Sequence, residues 1–371
     1  MLIKKKRVLV LGQTPPPYGG QALMLQTLLE GEYKNAQLFH VRLDFSRDFD
    51  DMGSFKLYKF WSLFKAIFQT IFYRYYKSAD ILYYGPAGPN KLGMYRDMLL
   101  LAPVRLFFKK TILHTHAGGS SRLYADLNVI AKFFYRIAFF KPDVLITLTN
   151  FSHGDDVVLV PKAVFVVPNG IKDEYQFYKF VSTPKLDSKI NLLYVGAMYE
   201  ERGITELVYA VDIIRKRGVD VRLQMMGIFI SNDFETKIRA LIDKLGLDQY
   251  IVFLGTKVGE DKWGVFRDSD IFCFPTYVPS ETFGLVLAEA MQFEIPVVAT
   301  RWNGIPLVFE DGKDGLLIDI KNPQDLADKV EHLARNEKER IKMGQNGRKK
   351  YLDRYSIDTF RSKMDIVFSQ V

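Results

Sequence analysis

The sequence has almost no cysteine and no long apolar run, and both absences limit what the protein can be. Cys273 is the single cysteine among 371 residues, which excludes an intrachain disulfide and a thiolate metal cluster. Because Cys273 lies in an apolar run, we predict a buried, inert thiol. No stretch approaches the roughly 20 apolar residues of a membrane span. The short apolar run after the basic N-terminus predicts a first β-strand rather than a signal peptide.

Several motifs of nucleotide and metal enzymes are also missing. The chain has no Gly-x4-Gly-Lys-Ser/Thr, which excludes a P-loop enzyme. The first strand leads into three prolines instead of Gly-x-Gly-x-x-Gly, which argues against a dehydrogenase. No Asp-x-Asp directly follows a strand, and no helix-turn-helix, zinc finger or aromatic RNA-binding pattern occurs. We therefore expect no metal, no cofactor and no nucleic-acid partner.

Positive charge is concentrated in the first half of the chain. The net charge is +8, with about +10 in residues 1–180 and about −2 in residues 181–371. Such asymmetry predicts an anionic partner for the first half. An anionic membrane surface and a phosphate-bearing substrate both fit.

The order of apolar runs predicts an α/β protein with two domains. Short β-branched and aromatic runs alternate with longer amphipathic stretches in both halves, which is typical of a parallel sheet flanked by helices. We predict two Rossmann-like, doubly wound sheets facing each other across a cleft, with ligands at the carboxyl ends of the strands. The predicted boundaries are 1–177 for the first domain, 178–189 for a linker, 190–354 for the second domain, and 355–371 for a helix crossing back to the first.

The strongest local signal is a pair of carboxylates eight residues apart, Glu281 and Glu289. The preceding strand ends near Pro275, so Glu281 should lie in a strand-to-helix loop and Glu289 about two turns into the helix. The helix N-terminus would offer the N–H groups of Gly284 to Val286 to a diphosphate. Taken alone, the pair also fits a helix-start carboxylate and a solvated glutamate. The apolar residues around Glu289 favour a binding site.

At this motif the chain resembles the retaining glycosyltransferases of family four, which have the GT-B fold. Glu-x7-Glu, with Phe-Gly after the first Glu and Ala after the second, is that family's signature. Other matching pieces follow in order: Pro17-Tyr18-Gly19-Gly20, His116, Pro168-Asn169-Gly170-Ile171, Val195-Gly196, Arg202-Gly203, Asn303-Gly304-Ile305 and Asp311-Gly312-Lys313-Asp314-Gly315-Leu316-Leu317. The resemblance spans nearly the whole chain and is strongest over 190–320.

The resemblance implies a metal-independent, retaining transfer from a nucleoside diphosphate sugar, with a UDP-sugar favoured. It implies a glycan or lipid-linked acceptor, bound by residues 1–177, in surface polysaccharide biosynthesis. The nucleotide sugar would be bound by residues 190–354. The implied location is the cytoplasm, at the inner face of the cytoplasmic membrane.

The resemblance also implies roles for individual residues. Glu281 would contact the donor sugar and Glu289 the ribose hydroxyls. Arg202 would neutralise the departing diphosphate, and His116 would contact the donor sugar and shape the acceptor site. Close backbone approach to the sugar and phosphates is implied for Gly19, Gly20, Gly196, Phe283, Gly284, Leu285 and Val286.

One departure from the family pattern leaves alternatives open. The family places Arg directly after the glycine matched by Gly196, whereas this chain has Ala197. Either Arg202 acts alone on the diphosphate or Lys257 reaches in. A nucleotide-sugar epimerase of the same architecture is one alternative function. A catalytically weak, sugar-nucleotide-binding subunit is another, and Ala197 is its only support.

His114 and His116 stand two residues apart, which in an extended strand places them on one side. That spacing suits a metal pair, but no third ligand lies nearby in the sequence. We therefore predict that His114 packs within the sheet and that His116 lies at the end of the strand, in the site.

The segment 55–76 contains ten aromatic side chains. As a helix it carries an apolar stripe made of Leu57, Phe60, Trp61, Phe64, Ile67, Phe68, Ile71 and Tyr75. The flanking basic residues are Lys56, Lys59, Lys65, Arg74 and Lys77. The stripe fits either a helix packed on its sheet or a helix lying on an anionic membrane. The number of aromatics and the positive first half favour the membrane.

Overall fold

In the computed structural model of the protein, residues 5–16, 19–44, 57–178 and 189–371 are described, with 57–60 described by their backbone alone. Some of the predicted features lie outside these residues. They are Pro17 and Tyr18 of the proline and glycine loop, Phe55 and Lys56 of the aromatic segment, and residues 179–188 of the linker.

The described residues form twelve strands and thirteen α-helices. The strands are β1 Lys6–Gly12, β2 Ala36–Arg42, β3 Ile81–Tyr84, β4 Lys110–Thr115, β5 Val144–Thr147, β6 Ala163–Val166, β7 Ile190–Val195, β8 Val221–Met226, β9 Ile251–Gly255, β10 Ile271–Phe274, β11 Val297–Thr300 and β12 Gly315–Ile318. The helices are α1 Gly20–Leu29, α2 Leu57–Tyr76, α3 Lys91–Arg105, α4 Val129–Phe139, α5 Asp155–Leu159, α6 Tyr175–Tyr178, α7 Ile204–Lys216, α8 Asn232–Leu245, α9 Gly259–Arg267, α10 Leu285–Gln292, α11 Pro323–Arg335, α12 Glu337–Arg354 and α13 Ile357–Gln370.

The chain divides into two compact units, the first made of residues 1–170 and 357–371 and the second of residues 171–356. The first unit contains a parallel six-stranded sheet in the order β2-β1-β3-β4-β5-β6. Its central strands are almost fully buried, as expected for a parallel sheet covered on both faces. The order reverses between β1 and β3, so the loops after these strands mark the switch point at which such sheets bind ligands.

The C-terminal helix α13 packs on the first unit. The Phe368 ring meets the Tyr33 ring edge-to-face at 5.1 Å between centroids. The Asp365 carboxylate accepts the backbone N–H of Asn35 at 2.9 Å, directly before β2. The first unit is therefore built from two separate stretches of sequence.

The second unit contains a parallel sheet in the order β12-β11-β10-β7-β8-β9. This is the order of a dinucleotide-binding sheet, and its direction reverses between β7 and β10. Cys273 lies on β10 and is fully buried, and burial raises the pKa of its thiol to about 12. The predicted buried thiol is thus confirmed.

The two predicted parallel sheets are confirmed. The apolar pattern over residues 121–140 predicts one continuous helix, and this prediction is wrong over its first half. There a 3-10 turn, Ser120–Tyr124, precedes α4. Asn128 caps α4 by accepting the N–H of Ala131 at 2.9 Å, which starts a new helix at that point.

Candidate functional site

Two loops at the switch point of the second sheet bring Arg202 and Glu281 together. Arg202 follows β7 and Glu281 follows β10, and these strands are neighbours with Leu192 paired to Ile271. The guanidinium Nη1 of Arg202 lies 2.8 Å from Oε2 of Glu281, and both side chains are largely buried. Burial lowers the pKa of Arg202 and the Glu281 carboxylate raises it, and the net shift is upward.

The packing of the two loops fixes this pair in place. Gly203 has φ +72°, and a Cβ there would stand 2.2 Å from the carbonyl oxygen of Pro275, so a side chain cannot be accommodated. The backbone N–H of Tyr277 donates to the Glu201 carbonyl at 2.7 Å. The Trp302 indole N–H anchors the same loop on the Val278 carbonyl at 2.9 Å. The loop that carries Glu281 is therefore held from both sides.

The second oxygen of Glu281 caps the start of α10. Its Oε1 accepts the backbone N–H of Gly284 at 3.0 Å, so this group, predicted to face a diphosphate, is already bonded. The N–H groups of Leu285 and Val286 lie in the first turn of α10, where no intrahelical acceptor exists. Two of the three predicted backbone donors thus remain available at the helix N-terminus.

Glu289 is the fifth residue of α10, little more than one turn into the helix instead of the predicted two. Its side chain is buried, with 6% of the residue exposed. Oε1 lies 2.6 Å from Nζ of Lys262 on α9. Oε2 is fully buried and has no hydrogen-bond partner among the described residues. An ionised carboxylate oxygen in this state is costly unless a ligand completes its hydrogen bonding.

Lys262 is the residue that sequence reasoning missed. Lys257 was predicted as the extra cation, and it lies half-buried between β9 and α9. The buried position of Glu289 was a signal for a nearby cation, because buried charges are paired. The sequence does not show which lysine pairs with Glu289, because Lys262 lies 27 positions away from it.

The remaining predicted residues of the second unit lie around the same loops. Gly196 follows β7 and donates its N–H to the Met226 carbonyl at 2.9 Å. Phe283 is buried directly before α10, where its ring meets Tyr355 edge-to-face at 5.2 Å. Their backbones lie beside the loops of Arg202 and Glu281.

In the first unit, His116 directly follows β4, where it is half-buried beside the fully buried His114. Its ring stacks on that of His114 at 4.2 Å between centroids. The Tyr83 hydroxyl lies 2.5 Å from Nδ1 of His114. Burial lowers the pKa of His116 to about 4, against the opposing effect of Asn169, and lowers the pKa of His114 well below its usual value. Both rings are therefore neutral at pH 7.

The loop after His116 is held in place by the carboxylate of Asp155. This buried carboxylate accepts the N–H groups of Gly119 and Ser121, both at 3.0 Å. In the loop after β1, at the switch point of this sheet, a Cβ on Gly19 or Gly20 would have no neighbour within 4 Å among the described residues. Packing within the protein therefore does not explain why these two residues are glycine.

Helix α2 has two apolar faces. One face packs in the core through Leu63, Ala66 and Ile67. The other, here called the α2 aromatic face, consists of Trp61, Phe64, Phe68, Phe72, Tyr75 and Tyr76. All six are exposed, Trp61 and Phe68 to 75% each. The aromatic excess of this segment thus arises because one helix carries a core face and a solvent-facing aromatic stripe.

Neighbouring helices extend this exposed apolar surface. Helix α2 packs on α3, and α3 packs on α4. Leu92, Tyr95 and Leu99 of α3 and Val129, Ile130, Phe133 and Phe134 of α4 are also exposed. The three helices contain eight Lys and Arg and a single acidic residue, the buried Asp97. No helix of the described chain is both long and apolar enough to cross a bilayer.

The match to a known protein family lies within the second unit. Residues 176–350 match the family model described as Glycosyl transferases group 1. A D-inositol 3-phosphate glycosyltransferase of Corynebacterium kroppenstedtii is 34% identical over 163 residues, which cover 42% of this chain and 35% of that protein. The capsular polysaccharide biosynthesis glycosyltransferase CapM of Staphylococcus aureus is 28% identical over 56% of this chain and 55% of its own length. The matched region therefore spans about half or less of the length of these relatives. Together with the family model, the matches support similarity of this chain to the group 1 glycosyl transferases.

Solved structures share the fold over the whole chain. HepE of Anabaena, crystallised in complex with UDP, superposes with a TM-score of 0.74 at 16% identity, covering 98% of this chain and 100% of that one. The lipopolysaccharide outer core galactosyltransferase WaaB gives a TM-score of 0.65 at 16% identity, covering 98% and 100%. The predicted GT-B fold class, with two parallel α/β sheets, is confirmed.

Proposed function

We propose that this protein is a retaining glycosyltransferase that uses a nucleoside diphosphate sugar, with UDP-sugars as the favoured donors. The observation that carries the proposal is the set of groups around the N-terminus of α10. It combines a cation, two carboxylates with different partners and free backbone N–H groups at the switch point of one sheet. Each of these groups matches one part of a nucleotide sugar.

The diphosphate is the most highly charged part of such a donor. Arg202 supplies a fixed positive charge, and the first turn of α10 supplies the N–H groups of Leu285 and Val286 together with the positive end of the helix dipole. Charge-assisted hydrogen bonds to developing negative charge are the largest single contribution to catalysis in many enzymes. We assign stabilisation of the departing diphosphate to these groups, which is why we propose that transfer needs no metal.

The two carboxylates are assigned to the two ends of the donor. The unpartnered, buried Oε2 of Glu289 accepts a ribose hydroxyl. Glu281 already accepts from Arg202 and Gly284, but a carboxylate has about four acceptor sites. Its remaining sites accept hydroxyls of the transferred sugar.

The proposed reaction is a front-face substitution at the anomeric carbon. The bond from this carbon to the diphosphate oxygen breaks, and a bond to an acceptor hydroxyl oxygen forms on the same face. The hydroxyl proton passes to the leaving diphosphate, which balances the step without a protein nucleophile. The configuration of the anomeric carbon is retained.

We assign acceptor recognition to the first unit, around His116. A neutral imidazole at the end of β4 donates or accepts a hydrogen bond to a sugar hydroxyl without adding charge. The open space beside Gly19 and Gly20 supports their proposed role in close approach of a ligand.

We further propose that the acceptor is a glycan or lipid-linked glycan and that the first unit associates peripherally with an anionic membrane. The exposed α2 aromatic face supports this, because solvent-exposed aromatics in such number are typical of an interaction surface. The surrounding basic residues and the near absence of acidic ones complement anionic lipid headgroups. The setting that fits such an acceptor is surface polysaccharide biosynthesis.

The test of transfer starts from the nucleotide. A thermal-shift panel of UDP- and GDP-sugars should identify the donor, and transfer is then measured with that donor in EDTA. We expect activity to survive chelation, and proton NMR of an early product to show the donor's anomeric configuration. Complete loss of activity in EDTA, restored by Mn²⁺, would contradict the role of Arg202 and α10. Conversion of the donor sugar without an acceptor would instead indicate an epimerase.

A further inference from the structure

We propose that Lys262 is a positioning residue for nucleotide binding. It holds the Glu289 carboxylate by one oxygen so that the other faces a ribose hydroxyl. This inference rests on the proposed function, in which Glu289 is the ribose acceptor. It adds a residue that lies outside the Glu-x7-Glu motif and that acts through Glu289.

The two oxygens of Glu289 have different environments. Oε1 is bonded to Nζ of Lys262 at 2.6 Å, and Oε2 is buried without a partner among the described residues. A pair that served only the fold would be expected to satisfy both oxygens, because an open acceptor in a buried site is costly. The asymmetry is therefore explained by a ligand that completes the second oxygen.

Lys262 is itself fixed by its surroundings. Its ammonium lies 4.4 Å from the centre of the Trp263 ring and 5.7 Å from that of Phe266, both on the same helix. Trp263 in turn stacks on Phe293 at 5.8 Å, directly after the end of α10. Aromatic contacts of this kind favour a cation and restrict its motion. The lysine therefore reaches Glu289 from a rigid platform that joins α9 to α10.

Fixing the carboxylate before the ligand arrives has a thermodynamic consequence. A flexible Glu289 would lose side-chain freedom on binding, and this cost reduces the affinity gained from each hydroxyl. With Lys262 in place that cost falls on folding instead of binding. The predicted effect of Lys262 is thus specific to the ribose hydroxyls and absent for the rest of the nucleotide.

The experiment compares UDP with its 2′,3′-dideoxy analogue by calorimetry on wild type and Lys262→Met. We expect wild type to bind UDP about tenfold or more tightly than the dideoxy analogue, the effect of hydrogen bonds to a charged acceptor. In Lys262→Met this ratio should fall to about threefold or less, with UDP affinity reduced and dideoxy affinity nearly unchanged. Lys262→Arg, which keeps a cation, should recover part of the ratio.

Lys216→Met is the matched control, because Lys216 forms an ion pair of 2.7 Å with Asp212 on α7 in the same unit. It should leave both affinities unchanged. If wild type does not discriminate between the two nucleotides, the ribose role of Glu289 fails and this inference with it. If wild type discriminates and Lys262→Met keeps the full ratio, the positioning role alone is overturned. Equal weakening of both nucleotides would show a structural pair and also overturns it. Thermal melts of each variant establish that it is folded.

Discussion

The two units are built on the same kind of parallel sheet but differ in what they expose. Among the described residues, the first unit exposes ten large aromatic side chains, Trp61, Phe64, Phe68, Phe72, Tyr75, Tyr76, Tyr95, Phe107, Phe133 and Phe134. The second exposes two, Phe177 and Tyr209. The first unit also carries the excess of positive charge. A helix that covers a sheet needs only one apolar face for folding. The additional exposed aromatics of the first unit are therefore not explained by folding and point to a function of its surface.

In the second unit the unusual features are polar and lie inside. Glu289 with its open oxygen, and Arg202 bonded to Glu281, are the kinds of group that folding alone does not favour in a buried position. This difference fits the proposal that the second unit binds a small polar ligand and the first unit a larger apolar surface. The role proposed for each unit can be tested separately by mutation.

The largest expected effect is on the carboxylates of the second unit. Glu281→Ala should lower the transfer rate by about 100-fold or more, the scale of a lost electrostatic contact to the reacting group, with little loss of UDP affinity. Glu289→Ala should weaken UDP binding by about 1.5–3 kcal/mol. Calorimetry and initial rates measure both.

Glu235→Ala is the control for these variants, because Glu235 pairs with Arg239 at the surface of the same unit. It should change neither quantity. Equal losses of nucleotide affinity in the Glu281 and Glu289 variants would mean that the two roles are wrongly assigned.

A smaller effect is expected on membrane binding by the first unit. In co-sedimentation, wild type should bind vesicles containing anionic lipid at low salt and release them partly at high salt. The double change Trp61→Ser and Phe68→Ser should weaken binding by at least about 1.5 kcal/mol, since a large apolar side chain contributes about 1.5–3 kcal/mol when buried.

Phe177→Ser, at an exposed aromatic of the second unit, should leave vesicle binding unchanged. Wild-type protein that stays in the supernatant with every lipid and salt would rule out the membrane as partner of the α2 aromatic face.

The smallest effect concerns His114 and His116 of the first unit. Burial lowers the pKa of His116 to about 4 and that of His114 well below its usual value. Below about pH 6.5 the unfolded chain binds protons at these rings that the folded chain does not, so stability should fall as pH falls. The slope is at most about 1.4 kcal/mol per pH unit for each ring.

Urea unfolding between pH 7.5 and 5 measures this slope in wild type and in His114→Gln, which should be shallower. A slope unaffected by His114→Gln would mean that other groups control acid stability.

The sequence predicts the structure well where the structure depends on local pattern. The apolar runs of β1 and β10 and the loop position of Glu281 follow from periodicity and turn residues. The prediction of one helix over 121–140 is wrong because it overlooks Asn128, a preferred N-cap residue at which a new helix begins.

The features that the sequence does not predict depend on contacts between residues that are distant in the chain. The pairing of Lys262 with Glu289 requires α9 to pack beside α10, and no spacing rule separates Lys262 from Lys257. Amphipathicity likewise shows that α2 has an apolar stripe, but only the packed structure shows that Trp61 and Phe68 face outward while Leu63 and Ala66 pack in the core.

The return of α13 to the first unit has a consequence for synthesis on the ribosome. Domains of a growing chain generally fold in the order in which they emerge. Here residues 171–356 emerge completely before residues 357–371, which bring Asp365 and Phe368 to Asn35 and Tyr33. The second unit can therefore fold completely first. The first unit lacks the contacts that α13 makes beside β2 until residues 357–371 have been translated.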